Sequence, residues 1–247
     1  MRNLRCLLIV LTAAIFCSLH PFSPGTAQTL VAGELQRYRI GSVFYALVVI
    51  PDAYRLSVRT PAPFVLTDLA TNLRCDGFAI TGAYSEKITG DVEGLVVVEG
   101  QQVSKQSTRN DGGFLVLDEV SADLSRVGTP PSWSDDNPVS VVQSHPILIM
   151  NGNIDRPLKD PRKANRVALG KLEGGSLFMA MAYNNDLQGL SAVTLLRFAQ
   201  NLDQILSGQV DWLMNFDGGP SAFLTAGNTA VAPSPGRVVS YLCAEPG

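Results

Sequence analysis

The chain has 247 residues, 46% of them hydrophobic, with 19 basic and 22 acidic side chains and a formal net charge of −3, which allows one large domain or two small ones around a substantial core. The acidic balance argues against a basic nucleic-acid binder. Two histidines in the whole sequence exclude His-rich zinc sites and paired-His metalloprotease motifs.

Residues 1–27 read as an export signal. Arg2 and Arg5 precede an apolar stretch from Cys6 to Phe16, and Gly25, Thr26 and Ala27 supply small residues for cleavage after Ala27. The stretch is well short of the roughly 20 residues a spanning helix needs. A lipid anchor at Cys17 is opposed by the bulky Phe16. Removing this leader shifts the formal charge to −5 and leaves His145 as the sole histidine. The expected mature protein is one domain, 28–247, periplasmic or secreted, with no membrane span. Its two cysteines, Cys75 and Cys243, then either pair in an oxidising space or stay as two buried thiols.

Runs rich in Val, Ile, Tyr and Phe, bounded by Gly, Pro, Asn and Asp, predict strands at 36–50 and 54–60. Leu66, Leu69, Ala70 and Leu73 keep helical spacing and predict a helix over 65–73, with Thr67 as a cap. Strands follow at 78–82, 93–98 and 113–117. The polar segment 121–138, with Trp133 in its middle, reads as a surface excursion, a lid or a long loop. Strands at 145–150, 164–169 and 176–183 precede a helix over 191–206, marked by the stripe Leu195, Ala199, Leu202 and Leu206 and stopped by Gly208. Strands at 210–216, 221–225 and 237–242 complete the chain. The expected fold is α+β: a mixed β-sheet core flanked by a few helices, in a single domain.

The order strand 176–183, helix, strand 210–216 has the length of a crossover unit, which would make the two strands parallel and end them at one edge. Tyr183, Asn184, Asn185 and Asp186 lie at the first end, and Asn215 to Ser221 at the second. The helix at 65–73 and strand 78–82 place Gly82, Tyr84, Ser85 and Glu86 at another strand end. Ligands of open sheets with helices bind beyond such ends. Asp217-Gly218-Gly219 sets a carboxylate beside approachable backbone N–H groups, which suits an anionic or sugar ligand; the same three residues with Pro220 also suit a tight hairpin turn.

Five segments in order carry a resemblance: Thr81-Gly82-Ala83-Tyr84; Gly94-Leu95 through Gly100; Gln143-Ser144-His145-Pro146 leading to Asn151-Gly152; Asn165 through Gly170; and Asn215-Phe216-Asp217-Gly218-Gly219-Pro220-Ser221. Over roughly residues 64 to 226 the chain resembles phosphodiester glycosidase domains, the kind found in the enzyme that uncovers mannose 6-phosphate and in exported bacterial proteins. Thr81 stands where the family usually has Asn, and Ala83, His145 and Pro220 where Gly is common. These departures bear on substrate preference and on turnover.

The resemblance implies hydrolysis of a sugar 1-phosphodiester, with a phosphate ester as leaving group and a glycan or sugar-phosphate conjugate as substrate. Holding the phosphate's charge then matters more than protonating it, and Arg166 is the candidate clamp. Asp217 is the candidate to activate water or stabilise an oxocarbenium-like centre, with Glu86 as a possible partner and His145 as acid or base. Tyr84, Gly82, Asn215, Gly218, Gly219, Ser221 and Gln143 are candidate substrate-binding residues. Each has a plainer reading: Arg166 covering the sheet edge, Glu86 paired with Lys87 on the surface, His145 as a hydrogen-bonded structural residue. No cofactor is expected, and the oxygen-rich groups near Asp186 lack a calcium-loop spacing, so no metal is assigned. No G-x-S-x-G elbow, S-x-x-K pair, P-loop or G-x-G-x-x-G occurs in the sequence. The alternative function is a non-catalytic glycan or sugar-phosphate binding protein of the same fold.

Overall fold

A computed structural model describes residues 30–86, 89–118, 121–133, 139–155, 158–184 and 191–247. The leader at 1–27, Lys87, Asn185 and Asp186 lie outside the described residues.

Three antiparallel sheets carry the architecture. The largest has seven strands in the order Gln36–Ile40, Val43–Val49, Leu177–Tyr183, Arg166–Leu172, Val210–Phe216, Ile147–Met150 and Asn153–Ile154. A five-stranded sheet runs Gln101–Ser104, Val96–Val98, Ser140–Ser144, Gly113–Leu117, Ala122–Arg126, and a second runs Thr229–Val231, Leu224–Ala226, Phe78–Thr81, Tyr241–Pro246, Tyr54–Arg59. Among the described residues α-helix is confined to α1 (Leu69–Asn72) and α2 (Leu195–Ile205). The fold is therefore sheet-dominated, and the expected single mixed sheet gives way to three larger antiparallel sheets and a two-stranded one, Phe64–Val65 with Arg237–Val238.

The reason lies in one hairpin. Strands Leu177–Tyr183 and Val210–Phe216 run in the same direction, as the crossover through α2 requires, but Arg166–Leu172 pairs antiparallel with both and lies between them. The expected parallel pair is thus split by the strand that precedes it, while the shared edge survives.

Alternation along these strands builds two cores, because successive side chains face opposite sides. Val167, Leu169, Met179, Met181, Met214 and Phe216 face the other two sheets and join a core with Ile80, Leu115, Val142 and Leu242. Ala168, Phe178, Ala180, Ala182 and Leu213 face α2, where Leu195, Phe198, Ala199, Leu202 and Leu206 are buried against them. All four stripe residues read from the sequence are on that face. Thr194 caps α2, its side chain accepting from the Arg197 N–H, and Gly208 ends it at φ +73°. The helix expected over 65–73 is a 3₁₀ turn, Leu66–Asp68, followed by α1, with no side-chain cap from Thr67.

The excursion expected at 121–138 is partly sheet. Ala122–Arg126 pairs with Gly113–Leu117, and Trp133 packs against the cluster of Leu95, Val97, Phe114, Val139 and Val141; residues 134–138 lie outside the described residues. Cys75 and Cys243 form a disulfide. It fastens the segment ahead of Phe78–Thr81 to a strand that sits between two others of its sheet.

Candidate active site

The register places Arg166 opposite Ala182 and Val167 opposite Phe216, so Arg166, Tyr183 and Asp217 emerge at one edge of the seven-stranded sheet. There a neighbouring sheet meets it. Asp217 N–H donates to Gly82 O at 3.0 Å, and Gly82 N–H donates to Ser240 O at 2.9 Å. A Cβ on Gly82 would lie 2.6 Å from Ser240 Oγ and 3.1 Å from Tyr241 N, so the crossing backbones leave room only for glycine.

The Asp217-Gly218-Gly219-Pro220 segment is not a hairpin turn. It carries the chain from Val210–Phe216 into a short 3₁₀ turn, Gly219–Ser221, and on to Leu224–Ala226 in a different sheet. Gly219 adopts φ +57° and its N–H donates to Asn165 O at 2.8 Å, while a Cβ on Gly218 would lie 2.5 Å from the same oxygen. Thr81 holds the far side: its hydroxyl donates to Ser221 O at 2.6 Å and accepts from Phe223 N–H at 3.1 Å. A hydroxyl that both donates and accepts thus fixes this loop where the related domains usually carry an amide.

Around Asp217 the chain assembles a polar cluster. Tyr84 stacks on His145 with ring centroids 4.4 Å apart and planes 4° from parallel. Asn215, buried at the penultimate position of its strand, donates from Nδ2 to the Tyr84 hydroxyl, to His145 O at 3.2 Å and to Phe216 O at 3.0 Å. Ser144 Oγ donates to Asn215 O at 2.8 Å. Glu93 N–H donates to Tyr84 O at 2.7 Å, which folds the segment after Tyr84 back on itself, and Glu93 Oε1 lies 3.8 Å from His145 Nε2. Arg109 grips Asp111 through two bonds of 3.2 Å.

The electrostatics follow from this crowding. Burial pushes the Asp217 carboxyl up to about 7; hydrogen bonds from the Ser221 hydroxyl and Gly218 N–H oppose the rise, and the Glu93 charge adds to it. Burial also raises Tyr84, helped by Asp217 and opposed by Arg166 and Arg109. His145 is lowered to about 4, first by burial and then by Arg109, with Asp111 pulling the other way. The imidazole is therefore neutral near pH 7, stacked on Tyr84 with its Nε2 buried and without a hydrogen-bond partner among the described residues. The sign of its linkage is that of a depressed group: its contribution to stability is present above the unfolded pKa near 6.5 and is lost as pH falls through about 4. An NMR titration of the protein lacking residues 1–27 should show the ring midpoint near 4; a midpoint at 6.5 would place His145 in solvent.

Arg166 is anchored at the rim of the cluster. Its Nε donates to Val193 O at 3.3 Å and its Nη2 to Arg162 O at 2.7 Å, and burial lowers its pKa. Two backbone carbonyls thereby aim the guanidinium.

Of the residues singled out in the sequence, the structure brings together Gly82, Tyr84, His145, Asn215, Asp217, Gly218, Gly219 and Ser221, with Arg166 close enough for its charge to bear on Tyr84. Gln143 serves the scaffold: its Oε1 accepts from Leu95 N–H at 3.0 Å and Ser107 N–H at 2.8 Å, and its Nε2 donates to Ser107 O at 3.0 Å. Glu86 is exposed, and its carboxylate accepts from Thr89 Oγ1 at 2.8 Å within its own turn. The carboxylate that bears on Asp217 is Glu93, which the sequence reading did not single out; nor did it single out Arg109 and Asp111. Among the described residues, the one grouping of His, Cys, Asp or Glu close enough to share a metal is Cys75, Cys243 and Glu245, and its two sulfurs are bonded to each other.

The sequence profile for phosphodiester glycosidases matches residues 77–241. Among solved structures, the chain is similar to the catalytic domain of zebrafish N-acetylglucosamine-1-phosphodiester alpha-N-acetylglucosaminidase, auto-inhibited by its pro-peptide, with 16% identity, 86% of this chain and 81% of that one covered, and a TM-score of 0.64. It is similar to a hypothetical protein of Synechocystis, at 13% identity, 85% and 61% coverage and a TM-score of 0.58. A Burkholderia pseudomallei protein named as exported gives 11% identity, 83% and 74% coverage and a TM-score of 0.58. At these identities the likeness to the solved structures is one of fold. No curated protein matches the sequence.

Proposed function

The chain belongs to the phosphodiester glycosidase family, and we propose that it hydrolyses a sugar 1-phosphodiester, releasing the sugar and a phosphate monoester. The observation that carries this reading is the match to the family profile over the sheet edge where Asn215, Tyr84 and His145 gather next to Asp217, whose carboxyl burial raises to about 7 with the Glu93 charge adding to the rise. A group with that pKa gives and takes protons at neutral pH, which a purely structural turn residue has no need to do.

Water adds to the anomeric carbon as the bond from that carbon to the phosphate oxygen breaks. Asp217 takes the proton that water loses and returns it to solvent. Glu93 faces the positive charge that develops at the sugar ring, as paired acids do in glycosidases. The leaving phosphate is weakly basic, so its charge has to be held, and Arg166 with Arg109 supplies the cations. Neutral His145, stacked on Tyr84, forms a flat wall, and Asn215 locks the Tyr84 hydroxyl against it.

The site is expected to work outside the cytoplasm, periplasmic or secreted. The Cys75–Cys243 bond supports this, since such bonds persist in oxidising compartments. No helix among the described residues is long and apolar enough to cross a membrane.

Sugar release from a panel of sugar 1-phosphodiesters tests the activity; binding of sugar phosphates without turnover of any diester would favour the non-catalytic alternative. Arg166→Lys should weaken binding of a sugar phosphate by about 10- to 100-fold, because an ammonium cannot keep both carbonyl bonds and still offer a fork to two phosphoryl oxygens. Calorimetry giving wild-type affinity for this variant would return Arg166 to the role of covering the sheet edge.

A further inference from the structure

Beside the cluster lies a cavity of about 160 Å³ bounded by Pro146, Ile147, Leu158 and Leu195, with Asp111, Asp160 and Lys159 at its margins. Its position ties it to the chemistry. Pro146 follows His145 directly, and Ile147 N–H donates to Asp111 O at 3.2 Å. The Asp111 carboxylate is held by Arg109 and faces His145. At the other margin, Asp160 is gripped by Arg162 through bonds of 2.8 to 3.1 Å and bears on Arg166. The cavity wall thus includes one acid held by Arg109 and one that bears on Arg166, and both acids already have guanidinium partners.

We infer that this cavity receives the aglycone, the group esterified to the leaving phosphate, and that it selects an apolar aglycone about the size of one aromatic ring. The inference rests on the proposed hydrolysis, because it assigns the two halves of that substrate. A phosphate held between Arg109 and Arg166 directs its ester substituent toward the space between them. Pro146 and Leu158 are partly exposed and lie against buried Ile147 and Leu195, so the aliphatic surface of the wall comes chiefly from Pro146 and Leu158. A second sugar in this space would need hydrogen-bond partners around its whole ring of hydroxyls, whereas the two carboxylates in the lining are engaged by arginines and Lys159 offers donors only. An aliphatic cavity of about 150 Å³ accepts benzene, so one ring fills the volume present here.

The test compares phenyl phosphate with methyl phosphate by calorimetry, on the wild type and on Leu158→Asp. Phenyl phosphate should bind the wild type about tenfold more tightly than methyl phosphate, from burial of the ring. Leu158→Asp should abolish that preference, and since its added carboxylate weakens both phosphates alike, the ratio of the two affinities is the quantity that reads the cavity. Equal affinities in the wild type, a preference that survives the substitution, or no binding of either phosphate would each overturn the assignment. Leu158→Ser gives the same comparison if the aspartate variant does not fold, and the bromine of 4-bromophenyl phosphate, located by anomalous scattering between Pro146, Leu158 and Leu195, places the ring directly. An aryl preference in binding with no turnover of any sugar 1-phosphodiester would keep the cavity's role and remove the hydrolytic one. Turnover of methyl and aryl diesters with equal KM would do the reverse.

Discussion

Asp217→Asn should lower turnover of the best sugar 1-phosphodiester by about 10²–10⁴-fold, the usual loss when a positioned acid or base is removed, and should at the same time raise stability at alkaline pH. The second half follows from the shift in its pKa. Folding lifts the carboxyl from 3.8 to about 7, so the folded protein holds a proton between those values that the unfolded chain gives up. The carboxyl's contribution to stability is then fully present below about 3.8 and is lost as pH rises through 7. An amide does not titrate. The melting temperature of the variant minus that of the wild type should therefore grow steadily more positive from pH 4 to pH 8. Asn keeps an acceptor for the Gly218 N–H, and the Ser221 hydroxyl adapts to either side chain. Turnover that survives would reduce Asp217 to a turn residue. A melting difference that does not change with pH would mean the proton resides elsewhere.

Removing the Cys75–Cys243 bond should produce the largest change in stability. The two cysteines are 168 residues apart in sequence, and cross-linking so long a loop restricts the unfolded chain by an upper figure of about 5 kcal/mol in the chain-entropy treatment. For a protein of this size that corresponds to a fall of about 10–20 °C in Tm. The double variant Cys75→Ala, Cys243→Ala measures it without adding buried polar atoms, and the oxidised protein should show neither thiol to alkylation until it is reduced. A Tm unchanged by reductant, or two thiols free in the unreduced protein, would show that the fold stands without the bridge.

Much of the scaffold was legible wherever periodicity carried it. The stripe of Leu195, Ala199, Leu202 and Leu206 specifies α2 because each member is buried against one sheet face. The shared edge at Asn184 and Asp217 followed from strand, helix and strand alone. What stayed hidden was pairing. Gln101–Ser104 and Ala122–Arg126 are edge strands of their sheet, mostly exposed and polar, so neither shows the alternation that marks a half-buried strand. The apolar run 36–50 read as one strand although Gly41, at φ +62°, turns it into a hairpin of Gln36–Ile40 with Val43–Val49.

In the site, Tyr84, His145, Asn215 and Asp217 stood out because they flank glycines or strand ends. Glu93 did not, since proximity in sequence favoured Glu86 as the acid near Tyr84. Only the return of the chain, seen in the Glu93 N–H bond to Tyr84 O, makes the more distant carboxylate the nearer one. The turn at Gly90, φ +74°, was the available signal. Arg109 and Asp111 lie on a loop without any motif, and what fixes that loop is the Gln143 amide bonding to Ser107.

The last strand, Tyr241–Pro246, pairs with Tyr54–Arg59 on one side and Phe78–Thr81 on the other, and Gly82, which receives the Asp217 N–H, is itself tied to Ser240. The candidate site is thus registered against a strand far removed in sequence from Gly82 and Tyr84. Contacts so remote in sequence form late and slowly, because closing the intervening chain comes before any reward from pairing. A chain truncated before Ser240 keeps the residues of the site and loses the strand that registers Gly82. Recovery of any turnover during refolding is therefore expected to follow the docking of Tyr241–Pro246 between its two neighbours.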